Sequence, residues 1–252
     1  HGNHEYAGRD SKGALDILGL SGLLAYFHAA KVIVQKGKEK AVVFGLGAVP
    51  ENRALAALKL WNPVPEEGAS NILLLHQGFR EFMAVDDEMI ATLSLDDLPK
   101  GFDLTVNGHL HWSSVQKLQG SHGSLFLLAG STVSTSIKKL ESERQKGVYF
   151  FDTVSKELSF VPLPRQRKMF YHSVLLKEAD AEQAVSECRK LISADLSEVQ
   201  MKAQAKTQMG GQKAQASSGP DLGALGSSQV GGAQGDFVLK PMIRLNLKGT
   251  LK

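Results

Sequence analysis

Residues 104–111 read Leu-Thr-Val-Asn-Gly-His-Leu-His. A short apolar run closed by glycine and polar residues reads as a strand, Leu104 to Asn107, that ends in a loop. Gly108 lets the backbone turn without interference from a Cβ. His109 and His111, two residues apart in extended chain, project the same way and can reach neighbouring cations. Upstream, Leu74-Leu75-His76-Gln77-Gly78 has the same layout, an apolar strand from Asn71 to Leu75 that delivers an imidazole at its end. At the start of the chain, Gly2-Asn3-His4-Glu5 offers an amide, an imidazole and a carboxylate in one glycine-led turn. Taken singly, each has a blander reading, as an interior hydrogen-bonded histidine, a surface loop or an ordinary turn. Together, in this order, they point to a metal-binding edge of a sheet.

Working outward, further β-like runs lie at Lys31 to Gln35, Ala41 to Leu46, Ser124 to Ala129, Gly147 to Asp152 and Glu157 to Leu163. Several are continuously apolar rather than alternating, as in strands covered on both faces. Apolar positions at Leu15, Leu18, Leu23 and Tyr26 predict a helix from Ala14 to His28, only slightly weakened by Gly19 and Gly22. Shorter helices are expected over Asn52 to Leu60 and Glu81 to Ala91. The pattern is that of a layered α/β domain rather than a helix bundle. The densest basic cluster, Pro164-Arg165-Gln166-Arg167-Lys168, sits where the composition changes and marks a junction. Beyond it come a strand at Ser173 to Lys177, a helix at Ala181 to Ile192 and a strand at Phe237 to Leu247. The Gly/Ser/Gln-rich stretch 203–236 between them has too few large apolar residues to offset chain entropy, so a flexible insertion is expected there. The expected division is therefore 1–164 and a smaller α+β domain, 165–252.

The 252 residues are 42% hydrophobic and 22% charged, which excludes fibrous and wholly disordered classes. A single cysteine, Cys188, excludes an intramolecular disulfide framework and a thiolate zinc cage, and fits an intracellular protein. No apolar run reaches the roughly 18–20 residues that span a bilayer, so no membrane partner is expected. Residues 165–252 carry 13 Lys and Arg against 8 Asp and Glu, whereas 1–164 carry 16 against 18. That surplus can attract a polyanion or simply solvate a basic surface. Trp61 and Trp112 read as packing or surface aromatics, although Trp112 also stands where a nucleotide could touch it. His28, His122 and His172 show no partner pattern.

The three histidine contexts resemble the later motifs of the calcineurin-like metallophosphoesterases: G-N-H followed by an acid, a histidine closing a strand, and G-H-x-H. Other segments narrow the resemblance. Ala14-Leu15-Asp16-Ile17-Leu18, Val34-Gln35-Lys36-Gly37, Phe44-Gly45-Leu46-Gly47 with Pro50, His76-Gln77, Leu98-Pro99 before Phe102-Asp103, Ala129-Gly130-Ser131-Thr132 with Ser134, and Lys240-Pro241-Met242-Ile243-Arg244-Leu245 are similar to the DNA double-strand-break repair nucleases of the meiotic-recombination-eleven family. The resemblance covers nearly the whole chain outside the Gly/Ser/Gln-rich stretch.

The resemblance implies a layered α/β/β/α phosphoesterase sandwich followed by a DNA-capping domain. It implies two divalent ions, probable Mn2+ sites in that family, with Asn3, His76 and His109 on one ion and His111 on the other. His4 would be the non-ligand histidine that stabilises developing charge or protonates the leaving oxygen. Arg165, Arg167 and Lys168 are candidate DNA contacts. Neutral ligands alone leave two dications uncompensated; in the family the D-x-H and G-D motifs lie upstream of G-N-H, no D-x-H occurs anywhere in this sequence, and His1 opens directly on the G-N-H motif. The expectation is an N-terminally truncated nuclease with at most half a metal site and little activity. The resemblance also implies DNA as partner, a homodimer built on the helix from Ala14, a Rad-fifty-type coiled-coil ATPase, and a place in the nucleus of a eukaryote or the cytoplasm and nucleoid of a prokaryote. A non-enzymatic DNA-binding or scaffolding module and a small-substrate metallophosphatase are the alternatives.

Overall fold

The computed structural model describes residues 1–5, 12–83, 93–119, 123–164, 166–213 and 240–251. They form two compact units, His1–Thr135 with Arg144–Leu163, and Ser136–Glu143 with Pro164–Lys252. The segment Ser136–Glu143 thus belongs with the second unit, although by sequence it falls within 1–164. The reason is local: helix α3 (Lys139–Ser142) packs on strand β9 (Met169–Ala179), and Arg244 donates to the Ile137 carbonyl at 3.2 Å.

The first unit is mixed α/β, built on a six-stranded sheet of order β1-β2-β3-β4-β6-β5. Its strands are β1 (Ala30–Lys36), β2 (Glu39–Leu46), β3 (Ser70–Leu75), β4 (Leu104–Asn107), β5 (Ser114–Lys117) and β6 (Leu125–Leu128). The edge pairs β1–β2 and β5–β6 are antiparallel, whereas β2, β3, β4 and β6 run parallel. The continuous apolar runs occupy the centre of the sheet. Val42, Phe44, Leu46, Leu73, Leu75, Leu104, Phe126 and Leu128 are buried, while β1 is largely exposed. The strand β5 has no counterpart in the sequence reading, because Ser114-Val115-Gln116-Lys117 carries one apolar residue and gains its order from the ladder with β6.

Between β2 and β3, a 3₁₀ turn (Glu51–Arg53) leads into helix α2 (Ala54–Trp61), which Asn62 ends in the left-handed region at φ 44°. Ala54 and Leu58 bury their side chains in the core that the sheet shares with Phe79, Leu93, Leu98 and Phe102. Aromatic rings knit this core. Phe79 meets Phe126 edge-on at 4.9 Å, and Phe82 stacks on Phe126 at 5.4 Å. Trp112 packs against Phe82 and Trp61 against Phe44, so both tryptophans are packing residues.

Helix α1 covers only Ala14–Leu20, not the span to His28 expected from periodicity. Gly22 adopts φ 72°, Gly22 N donates to the Gly19 carbonyl at 3.1 Å and Leu23 N to the Leu18 carbonyl at 3.1 Å. These are the two bonds of a Schellman cap, which glycine favours because a left-handed residue cannot continue the helix. The expected helix from Glu81 begins as a 3₁₀ turn, Arg80–Phe82, followed by extended Met83, and residues 84–91 of that expectation lie outside the described residues. The hairpin of β7 (Gly147–Phe151) and β8 (Leu158–Pro162) completes the described elements of this unit.

In the second unit, β9 pairs in parallel with β10 (Met242–Leu251), and helix α4 (Ala181–Lys213) lies between them in sequence. Parallel neighbours need such a crossover. Val174 and Leu176 of β9 bury against Ala184 and Leu191 of α4. The helix runs far past Ile192 and through the first residues of the expected insertion, while 214–236 lies outside the described residues. A fourth turn is anchored where Asp195, buried on α4, meets His172 Nε2 at 2.8 Å. No described helix is long and apolar enough to cross a membrane.

The core places a heavy load on Phe79, which is fully buried. Replacing it by Ala is expected to cost about 3–5 kcal/mol through lost burial and the cavity left behind, measured by denaturant-induced unfolding with the m-value unchanged.

Candidate functional site

Because β2, β3, β4 and β6 are parallel, their carboxyl ends share one edge of the sheet, the side on which open α/β sheets bind ligands. Each chain leaves that edge through a short loop. His76 follows β3, Gly108 and His109 follow β4, and Gly130 and Ser131 follow β6. The N-terminal turn is tied to the same edge, since Ala48 N, just beyond β2, donates to the His1 carbonyl at 2.8 Å.

Three expected ligands come together here. His76 Nε2 lies 3.0 Å from Asn3 Oδ1, and the His76 and His109 rings meet edge-to-face with centroids 5.2 Å apart. Glycine permits the close approach. A Cβ on Gly2 would stand 2.8 Å from His76 Cε1, and one on Gly108 3.3 Å from His76 Nδ1. Glu5 closes the N-terminal turn, its Oε2 accepting from Gly2 N at 2.8 Å. Its carboxylate therefore serves the turn that presents Asn3. His4 is exposed and close enough to His76 for their charges to interact.

His111 has its own set of partners. Its Nδ1 engages Thr135 Oγ1, and its carbonyl accepts from Ser131 N and Ser131 Oγ, each at 3.2 Å, and from Lys146 Nζ at 2.7 Å. Lys146 is buried, so an ammonium braces the loop from behind. Sequence reading had no signal for Lys146, nor for Glu51, whose Oε1 lies 3.9 Å from His109 Nε2. Gln77 and Asn107, which stand in the quoted motifs without a role of their own in the sequence, are both fully buried. Gln77 Nε2 donates to the Gly47 carbonyl at 3.1 Å.

Do these donors suit a divalent cation? Ligand atoms about 3.0 Å apart match the edge of an octahedron with bonds of about 2.1 Å, and Asn3 Oδ1 and His76 Nε2 have that separation. His109 Nδ1 is buried with no hydrogen-bond partner among the described residues, a lone pair or proton left for something else. Burial first, and then the nearby His109, pushes the His76 pKa down to about 4, with Glu5 opposing, so the ring is neutral at pH 7 as ligation requires. Among the described residues, however, no three His, Cys, Asp or Glu side chains gather as a cage. The residues fit one ion in part, through an amide oxygen and two imidazoles with no carboxylate among them.

The remaining predicted residues lie in the second unit. Arg167 Nη1 points at Met242 Sδ (3.3 Å), and Lys168 lies 3.9 Å from Glu198 and over the Phe170 ring at 5.4 Å. Arg165 and His122 lie outside the described residues. His172, for which the sequence offered no partner, has Asp195.

With this geometry in hand, relatives can be compared. The human double-strand break repair protein MRE11 is 26% identical over 195 residues, covering 70% of this chain and 27% of the relative. The Caenorhabditis elegans protein mre-11 is 28% identical over 201 residues, covering 70% and 27%. The DNA double-strand break repair protein Mre11 of Sulfurisphaera tokodaii is 30% identical over 105 residues, covering 42% and 26%. The chain is similar to these Mre11 proteins over as much as 70% of its length. It spans about a quarter of the length of the MRE11 relatives it matches, and no protein-family model matches it.

The depressed His76 pKa has a visible consequence. The unfolded chain binds this proton near the ordinary value of 6.5, the folded chain only near 4. Stability from this group is complete above the unfolded value and is lost as pH falls from about 6.5 toward 4. The His76 Hε1 resonance is expected to keep its neutral shift down to that range in an NMR titration, and a midpoint near 6.5 would contradict the packing described.

Proposed function

We propose that this Mre11-like chain carries part of a two-metal phosphodiesterase site acting on DNA ends in double-strand-break repair. The contact of Asn3, His76 and His109 at the carboxyl edge of the parallel strands is the observation that carries this reading. In this reading Asn3, His76 and His109 hold one divalent ion, Mn2+ in the first instance, and His111 serves a second. When bound, such ions neutralise the phosphate and lower the pKa of a water. The chain's own residues orient and titrate. Asn3 and neutral His76 present lone pairs, Lys146 fixes the His111 loop, and exposed His4 offers a proton to the leaving oxygen.

None of the three donors is a carboxylate, which favours a second reading of the isolated chain as a DNA-binding module. With no carboxylate among them, the proposal is that the 252-residue chain turns over slowly, if at all. The first unit is then the phosphoesterase sandwich and the second the DNA-capping domain, whose Arg165, Arg167 and Lys168 contact the DNA backbone. A homodimer is proposed on α1, which buries none of its residues and leaves Ile17 and Leu20 exposed. A Rad-fifty-type ATPase partner and an intracellular, DNA-associated location belong to the same proposal.

The test is binding of a duplex oligonucleotide and of Mn2+ by the 252-residue chain. Binding of DNA is expected to weaken steeply with salt, and Mn2+ binding to be lost in His76→Ala and His109→Ala. Salt-insensitive or absent DNA binding overturns the DNA reading. Robust Mn2+-dependent cleavage, abolished by His111→Ala, overturns the half-site.

A further inference from the structure

We propose that Asn107 is the positioning residue of the histidine cluster: its buried carboxamide, bridging both backbone groups of Gln77, sets the separation of the His76 and His109 rings. The ladder between β3 and β4 runs from Ile72 opposite Leu104 to Leu75 opposite Asn107, and Gly108 N adds one more bond to the Leu75 carbonyl at 3.0 Å. Beyond that point the ladder between the two strands ends. Gln77 is left with an N–H and a carbonyl that no strand neighbour meets, in a place sealed from water. An unpaired buried backbone group is costly, so something must replace the missing rung.

Asn107 replaces it. Its Oδ1 accepts from Gln77 N at 2.9 Å and its Nδ2 donates to the Gln77 carbonyl at 2.9 Å. The partners dictate which way the amide faces, since an N–H needs the oxygen and a carbonyl the nitrogen. A carboxamide is a peptide group in miniature, so the side chain extends the ladder sideways after the backbone rungs end. Both residues are fully buried, and no solvent competes. Asn107 is two residues from His109, and Gln77 follows His76 directly. The clamp therefore holds the backbone beside each ring. Leucine, of similar volume, forms neither bond, and aspartate keeps the acceptor but turns a second oxygen on the Gln77 carbonyl. Thr105 is an internal control. It is equally buried on β4, yet its Oγ1 has no partner among the described residues.

The inference rests on the metal reading for its purpose but not for its test. In the metal-free 252-residue chain, NOEs between the ring protons of His76 and His109 are expected in the wild type and in Thr105→Val. They are expected to fall by at least about half in Asn107→Leu and Asn107→Asp, with circular dichroism unchanged. Mn2+ affinity is expected to drop roughly 10–100-fold in those two variants, as for residues that orient metal ligands, and to stay within about twofold in Thr105→Val. A folded Asn107 variant with wild-type ring contact overturns the proposal. So does loss of the fold in both variants, which would make Asn107 merely structural. If the wild type binds no Mn2+, the ion reading fails, while the ring contact still decides the role of Asn107.

Discussion

The parallel hydrogen-bond ladder joining β2, β3, β4 and β6 is the constraint on which the candidate site depends. Parallel pairing aligns the carboxyl ends of four strands on one edge. At that edge the backbone groups lose their partners, and the chain must satisfy them while opening a space between loops. Here side chains do so. Asn107 pairs with the backbone of Gln77, Gln77 reaches the Gly47 carbonyl, and Lys146 and Ser131 share the His111 carbonyl. These bonds determine where the rings point, and so which of them meet.

The electrostatic character of the cluster follows from what surrounds it. An amide and two imidazoles bring no formal negative charge of their own when neutral, and burial beside a second imidazole keeps His76 neutral well below physiological pH. Two carboxylates beside the cluster, Glu5 and Glu51, hold backbone N–H groups. Glu5 accepts from Gly2 N, and Glu51 accepts from Gly78 N at 3.2 Å while keeping 3.9 Å from His109. A dication held by such donors keeps most of its charge, which suits attraction of a phosphate but not the tight retention that carboxylates provide.

Much of the architecture could be read from residue patterns because strands at the centre of a sheet are rich in large apolar residues. The central strands lie where those runs lie, and His76 and His109 sit just past the strand ends because those runs stop at Leu75 and Asn107. Local stop signals were harder to weigh. Gly22 looked like a mild defect in a long amphipathic helix, yet its left-handed conformation ends that helix. Strand β5 and the long continuation of α4 have weak apolar patterns, and the order of β5 comes from its ladder with β6.

By itself, then, the sequence determined the sheet's central strands, the strand-end positions of the histidines and the kinship with MRE11 proteins, since all three depend on residue type and spacing along the chain. Only the tertiary structure decided that His76 meets both Asn3 and His109, and that Thr135, Ser131 and Lys146 engage His111. Past the end of a strand, side-chain direction is no longer governed by the alternation of the pleat. It is settled by hydrogen bonds to residues as distant in sequence as Asn3 from His76, and no local pattern carries that information.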